Sequence, residues 1–156
     1  MSLGSALGIA LVSCLLSAAP ATGDTQARSL ELNAIKIQFT SFTCLNGSCS
    51  LALVTDAGKA TSNLGTGAGS TEGTLIMDFS PGGKCNIVDE SRTFSFAEGT
   101  VLVHSHHEDC ATHGLRVDTT FDVTDGTGAF QGANGSGREF SAAAQPGFEY
   151  IGTISS

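Results

Sequence analysis

All four histidines of this chain fall in one ten-residue window, HSHHEDCATH at 104–113, together with Glu108 and Asp109. If the window begins as a strand, His104 and His106 project from one face, because strand side chains alternate. Two imidazoles at that spacing can share one metal ion, and His113 could close back across the loop as a third ligand. Imidazole-rich ligation suits Zn, Cu or Ni. A strand end running into a solvated loop pinned by Cys110 accounts for the same residues without a metal, since neither His-x-His nor a single run fixes a coordination geometry.

Acid–base chemistry would call for two opposed carboxylates. Asp118 and Asp122 share a strand face, but they share it with Arg116, while Leu115, Val117, Thr119, Phe121 and Val123 form the other face. The charged face therefore reads as an outward, solvated ladder. No Gly-x-Ser-x-Gly elbow leads into a helix, so a triad hydrolase finds no support. GTGAGSTEG at 65–73 lacks the Gly-Lys-Ser/Thr ending and following helix of a phosphate cradle and reads as a mobile loop. Asn46-Gly47-Ser48 and Asn134-Gly135-Ser136 match the N-glycosylation pattern, but they serve equally well as turns.

Residues 1–21 carry no charge, and the apolar run Leu7 to Leu16 ends at a small-x-small site, Ala19-Pro20-Ala21. That reads as a secretory signal peptide, with 22–31 a flexible polar segment and 32–156 the folded domain. Membrane spanning needs roughly 20 consecutive apolar residues, so no stable insertion is expected. The rival reading of Leu11-Val12-Ser13-Cys14 is a lipobox with Cys14 lipidated. Either way the protein is expected outside the cytoplasm, secreted or periplasmic. Cys44, Cys49, Cys85 and Cys110 then read as a disulfide framework. CLNGSC places Cys44 and Cys49 across an Asn-Gly turn, which favours Cys44–Cys49 with Cys85–Cys110 among the three possible pairings. A four-thiolate zinc site would need paired short spacings that Cys85 and Cys110 do not offer.

The elements that must position these residues are strands. Ile35, Ile37 and Phe39 alternate with polar residues, and so do Leu75, Met77 and Phe79. Further runs carry Leu51 and Leu53, Phe94 and Phe96, Val101 and Val103, and residues 115–124. A small-residue run from Ala129 to Ala143 and a closing strand with Phe148, Tyr150, Gly152 and Ile154 on one face complete about eight. Turn chemistry at Asn46-Gly47, Asp56 to Gly58, Pro81 to Gly83, Glu98-Gly99, Asp125 to Gly128 and Pro146-Gly147 separates them. Without a helical period to cover a sheet, the pattern predicts an all-β fold, a sandwich or a closed antiparallel barrel. A net charge of −8, from 15 acidic and 7 scattered basic residues, argues against nucleic acid and anionic membrane as partners.

GTGAFQGANGSG at 126–137, with the strand before it, resembles the Gly-x-Gly-x-Phe-x-Gly-Ala-x-Gly signature of the allene oxide cyclase and dirigent barrel superfamily, and more closely its small exported bacterial members. Weaker similarity runs back through GTLIMDFSPGGKC and TFSFAEGTV, covering 32–156. The resemblance implies an eight-stranded antiparallel, calycin-like barrel that is often a homo-oligomer and has a central apolar cavity. It also implies a structural hairpin with Phe130 as the inward anchor and Gly132, Ala133, Gly135 and Gly137 allowing close strand approach. The superfamily's catalytic residues have no matching motif here, and fold likeness is a weak warrant for chemistry.

These readings converge on an exported, non-enzymatic barrel that binds a small apolar molecule or a protein partner. Phe79, Phe94, Phe96, Phe121 and Phe130 are the candidate ligand-lining residues, although the same side chains could simply fill the core. One alternative is a cyclase or isomerase acting on an unsaturated substrate inside the barrel. It requires a buried ionisable residue, with Glu72, Asp78 and Glu98 as candidates. Another is a metal protein using His104, His106 and His113 with Zn or Cu; otherwise no cofactor is expected.

Overall fold

The alternation along the chain is realised as a closed barrel. The structure, a computed structural model, describes residues 26–65, 68–79, 85–110, 117–141 and 147–156. Eight strands follow in chain order: β1 (Arg28–Cys44), β2 (Leu51–Ser62), β3 (Ala68–Asp78), β4 (Cys85–Phe96), β5 (Gly99–Cys110), β6 (Asp118–Gly126), β7 (Asn134–Ser141) and β8 (Gly147–Ser155). Each pairs antiparallel with the next, and β1 pairs with β8. Closure leaves no sheet edge along the paired length.

Both favoured disulfides form, Cys44–Cys49 across the β1–β2 turn and Cys85–Cys110 between directly paired residues of β4 and β5. Two such bonds fit an oxidising, extracellular or periplasmic setting. Among the described residues, no helix is long and apolar enough to cross a membrane. The leader and Cys14 lie outside the described residues.

Three local expectations are corrected. Arg28 to Glu31, expected within a flexible segment, open β1, where Leu30 is fully buried opposite Gly152. Asp56 to Gly58, expected as a turn, lie inside β2, because Asp56 finds a buried cationic partner. The glycine patch expected as a mobile loop becomes strand from Ala68 onward. There the glycines serve close packing rather than a turn, as Gly73 shows below.

The barrel interior has two apolar clusters. The larger contains Leu30, Leu32, Phe94, Phe121, Phe130 and Ile154 and fills the end bounded by the β4–β5 turn and the 3-10 turn Gly128–Phe130. Phe130 is the inward anchor that the motif implies, 1 % exposed. The smaller cluster, Val54, Leu75 and Val88 with Met77 against it, lies toward the other end.

At that second end the described residues of β1 run on past their pairing with β8. Among the described residues, β1 pairs with β8 as far as Ile35–Gly147, and its pairing with β2 continues to Cys44–Ala52. Register shifts against β2 after Ile35 and Phe39, with Lys36 at φ 54°, bend β1 locally. Phe42 stands opposite Val54 and Phe39 opposite Asp56, so both face the inner side, yet they are 57 % and 77 % exposed. With Thr40, Ser41, Val54 and Met77 they line an apolar mouth pocket of about 470 Å³.

Candidate functional site: a buried charged layer

Between the two apolar clusters the inward positions turn polar. Asp56, Thr71, Glu90, Arg92, Ser105 and Glu139 are all buried, and the phenol of Tyr150 joins them. Strand parity places them there. Glu90 and Arg92 fall on the same face of β4 as Val88 and Phe94, and Asp56 on the same face of β2 as Val54.

Arg92 organises the layer. Its Nη1 and Nη2 donate to the two carboxylate oxygens of Asp56 at 2.8 and 3.0 Å, the bidentate geometry for which a guanidinium is suited. Nε donates to Glu90 Oε1 at 2.7 Å, Nη2 lies 2.5 Å from the same oxygen, and Nη1 also donates to Thr71 Oγ1 at 3.3 Å. The Phe148 ring lies against the guanidinium, 5.2 Å from centroid to Cζ. Burial alone would push a guanidinium toward its neutral form, but the carboxylates hold Arg92 firmly cationic.

Asp56 and Arg92 sit on strands separated by β3, and the residue between them in the register is Gly73. A Cβ on Gly73 would lie 2.5 Å from Asp56 Oδ1 and 2.8 Å from Arg92 Nη2. Glycine is what lets the ion pair pass over the middle strand.

Glu139 is the unusual member. It is fully buried, directly opposite Tyr150, and neither carboxylate oxygen has a hydrogen-bond partner within the protein. Burial raises its pKa to about 7, and the nearby Glu90 charge pushes the same way. Ser105, Arg92 and Tyr150 act in the opposite direction. Glu90 is also raised, chiefly by burial, despite its bond to Arg92, and its Oε2 has no partner. The Tyr150 ring is held edge-on by Phe94 and Phe121, with centroids at 5.3 and 5.4 Å. Burial lifts the Tyr150 phenol well above its ordinary value, so it stays protonated.

A carboxyl that titrates near neutrality, a fixed cation and a protonated phenol within one enclosed layer can accept a proton, return it and stabilise developing charge. The three acids expected from the sequence are not part of it. Glu72 and Asp78 are exposed, and Glu98 is half-buried at the β4–β5 turn. The missed signal was parity, since VDESRTF puts Glu90 and Arg92 in step with Phe94.

Of the candidate aromatics, Phe94, Phe121 and Phe130 are buried in the larger cluster, Phe96 packs against it, and Phe79 is half-buried just past β3. The mouth pocket is lined instead by Phe39 and Phe42. His104 and His106 lie on the outer face of β5, each with Nδ1 3.7 Å from a different oxygen of Asp89. His113 lies outside the described residues. His107 turns to the inner side opposite Val88, where burial lowers its pKa. Cys85, Glu108 and Cys110 bring potential ligand atoms together, but both sulfurs are committed to the disulfide.

No protein-family model matches this chain, and no curated protein matches it. Among solved structures it is similar to one titled pyocyanin demethylase. The TM-score is 0.54 and the identity 13 %, over 83 % of this chain and 99 % of that one. At that identity the likeness speaks for a shared barrel fold.

Proposed function

We propose that this protein is an exported barrel of the allene oxide cyclase and dirigent type that takes a small, largely apolar molecule into its interior and moves a proton on it, as in a cyclisation or isomerisation. The observation that carries this reading is Glu139, a fully buried carboxyl without a hydrogen-bond partner and with a pKa near 7. Burying such a group for structure alone is unfavourable, whereas a general base is most effective with a pKa near the working pH. Glu139 is assigned as the base or acid, Tyr150 as the neutral donor beside it, and Arg92 as the fixed charge, oriented by Asp56 and Glu90. The solved structure titled pyocyanin demethylase gives the fold a small-molecule precedent, but chemistry in this chain rests on Glu139.

The second reading is a non-enzymatic binding barrel, favoured by the mouth pocket with its Phe39, Phe42, Val54 and Met77 lining.

A Kemp elimination separates the two, because it asks for a buried carboxylate and an apolar site and for nothing else. In 5-nitrobenzisoxazole the base removes the C3 proton, the C–H electron pair forms the nitrile, and the N–O bond breaks to release a phenolate. Wild-type protein is expected to accelerate this with a rate that rises through about pH 7. Glu139→Gln, with its fold checked by circular dichroism, is expected to lose the acceleration. A wild-type rate no higher than that of free acetate would overturn the proton-transfer reading. Binding of 1-N-phenylnaphthylamine without turnover would leave the binding barrel.

A further inference from the structure

Inside the charged layer, unpartnered acceptors outnumber unpartnered donors. The guanidinium of Arg92 has five N–H groups. The contacts to Glu90, Asp56 and Thr71 engage Nε, Nη1 and Nη2 alike. Left without a partner in the layer are three carboxylate oxygens, Glu90 Oε2 and both of Glu139, against one hydroxyl, that of Tyr150. The Ser105 and Tyr150 hydroxyls lie near enough to favour the ionised form of Glu139, yet two hydroxyl protons fall short of what three carboxylate oxygens can accept. The charge balance leans the same way, with three carboxyl groups around one guanidinium. The chain as a whole carries −8, which draws cations toward it.

We infer that the ligand is an apolar molecule with a protonated or multiply N–H-bearing nitrogen head, an amine, amidine or protonated heterocycle, received by the free oxygens of Glu139 and Glu90. A carboxylate or phosphate head would add acceptors to an acceptor-rich, anionic chamber and is rejected, since like charge and unmet acceptors are costly in a buried layer. The apolar body of the ligand rests on Phe39, Phe42, Val54 and Met77 at the mouth. This inference rests on the interior-chamber reading above and names the class of molecule that chamber takes.

Three probes with the same ring system test it: 2-naphthylmethylamine, 2-naphthylmethanol and 2-naphthoate, titrated into the full mature protein by calorimetry. The amine is expected to bind at least tenfold more tightly than the alcohol, and the carboxylate most weakly. The amine's advantage should grow as pH rises through about 7, where Glu139 loses its proton, while alcohol binding stays level. Glu139→Gln should erase the advantage, and Glu90→Gln should reduce it. Equal binding of amine and alcohol, or preference for the carboxylate, would overturn the inference and leave the chamber reading standing. Failure of all three probes to bind would overturn both. If Glu139→Gln does not fold, the wild-type ranking and its pH dependence decide alone.

Discussion

Arg92 on β4 grips Asp56 on β2 bidentately across the intervening strand, at 2.8 and 3.0 Å, because the residue between them is Gly73. Gly73→Ala puts a methyl group into that contact at 2.5 Å from Asp56 Oδ1, between two groups that cannot both retreat. The expected cost is roughly 1–3 kcal/mol of stability, the usual range for overpacking. Urea denaturation measures it, and an unchanged midpoint would refute the threading of the ion pair over β3.

Removing the cation alone should be worse than removing the whole set. Arg92→Ala leaves Asp56 and Glu90 buried without their partner and is expected to lose about 3–5 kcal/mol. The triple change Asp56→Leu, Glu90→Leu, Arg92→Met replaces the set with apolar side chains and should recover most or all of that loss. A triple variant as unstable as Arg92→Ala would mean that the charged layer is needed to build the barrel rather than to equip it.

The raised pKa of Glu139 fixes the sign of a pH effect on stability. Between its ordinary value near 4.5 and its folded value of about 7, the folded protein holds a proton that the unfolded chain has released. Stability should therefore fall as pH rises through that window, by about 3 kcal/mol for this one group, and level off above it. Glu90, raised in the same direction, adds to the slope. Glu139→Gln should flatten the profile across pH 4.5 to 7. Stability that climbs with pH over that range in the wild type would contradict the assignment.

The two disulfides should differ in worth. Cys85–Cys110 closes a separation of 25 residues and Cys44–Cys49 one of 5. Chain-entropy reasoning gives about 3.5 kcal/mol for the longer loop and about 2 kcal/mol for the shorter. Paired Cys→Ala variants compared by thermal unfolding test the order. A larger loss from the short loop would point to a special role for the β1–β2 tip beside the mouth.

Much of this molecule is written locally. Alternation in residues such as Val117, Phe121 and Val123, broken at fixed intervals by Asn-Gly and Gly-containing turns, determines strands and hence an all-β fold, because period two is a property of each strand by itself. The spacing of Cys44 and Cys49 around Asn46-Gly47 gave that pairing for the same reason: contact and cause lie within one hairpin. The inward placing of Phe130 was legible in its motif.

The site was not legible, because each of its contacts joins strands distant in sequence. Asp56 looked like a turn former beside Ala57-Gly58, and it became a buried anion only when β4 brought Arg92 across Gly73. Glu139 sits in a small-residue strand run in which nothing local marks it as inward, and its burial depends on β8 laying Tyr150 against it. Sequence alone determined that this chain makes strands, turns and the local Cys44–Cys49 staple, since those follow from backbone and side-chain preferences over a few residues. Only closure of the barrel decided which acids lose water, because desolvation depends on what stands opposite.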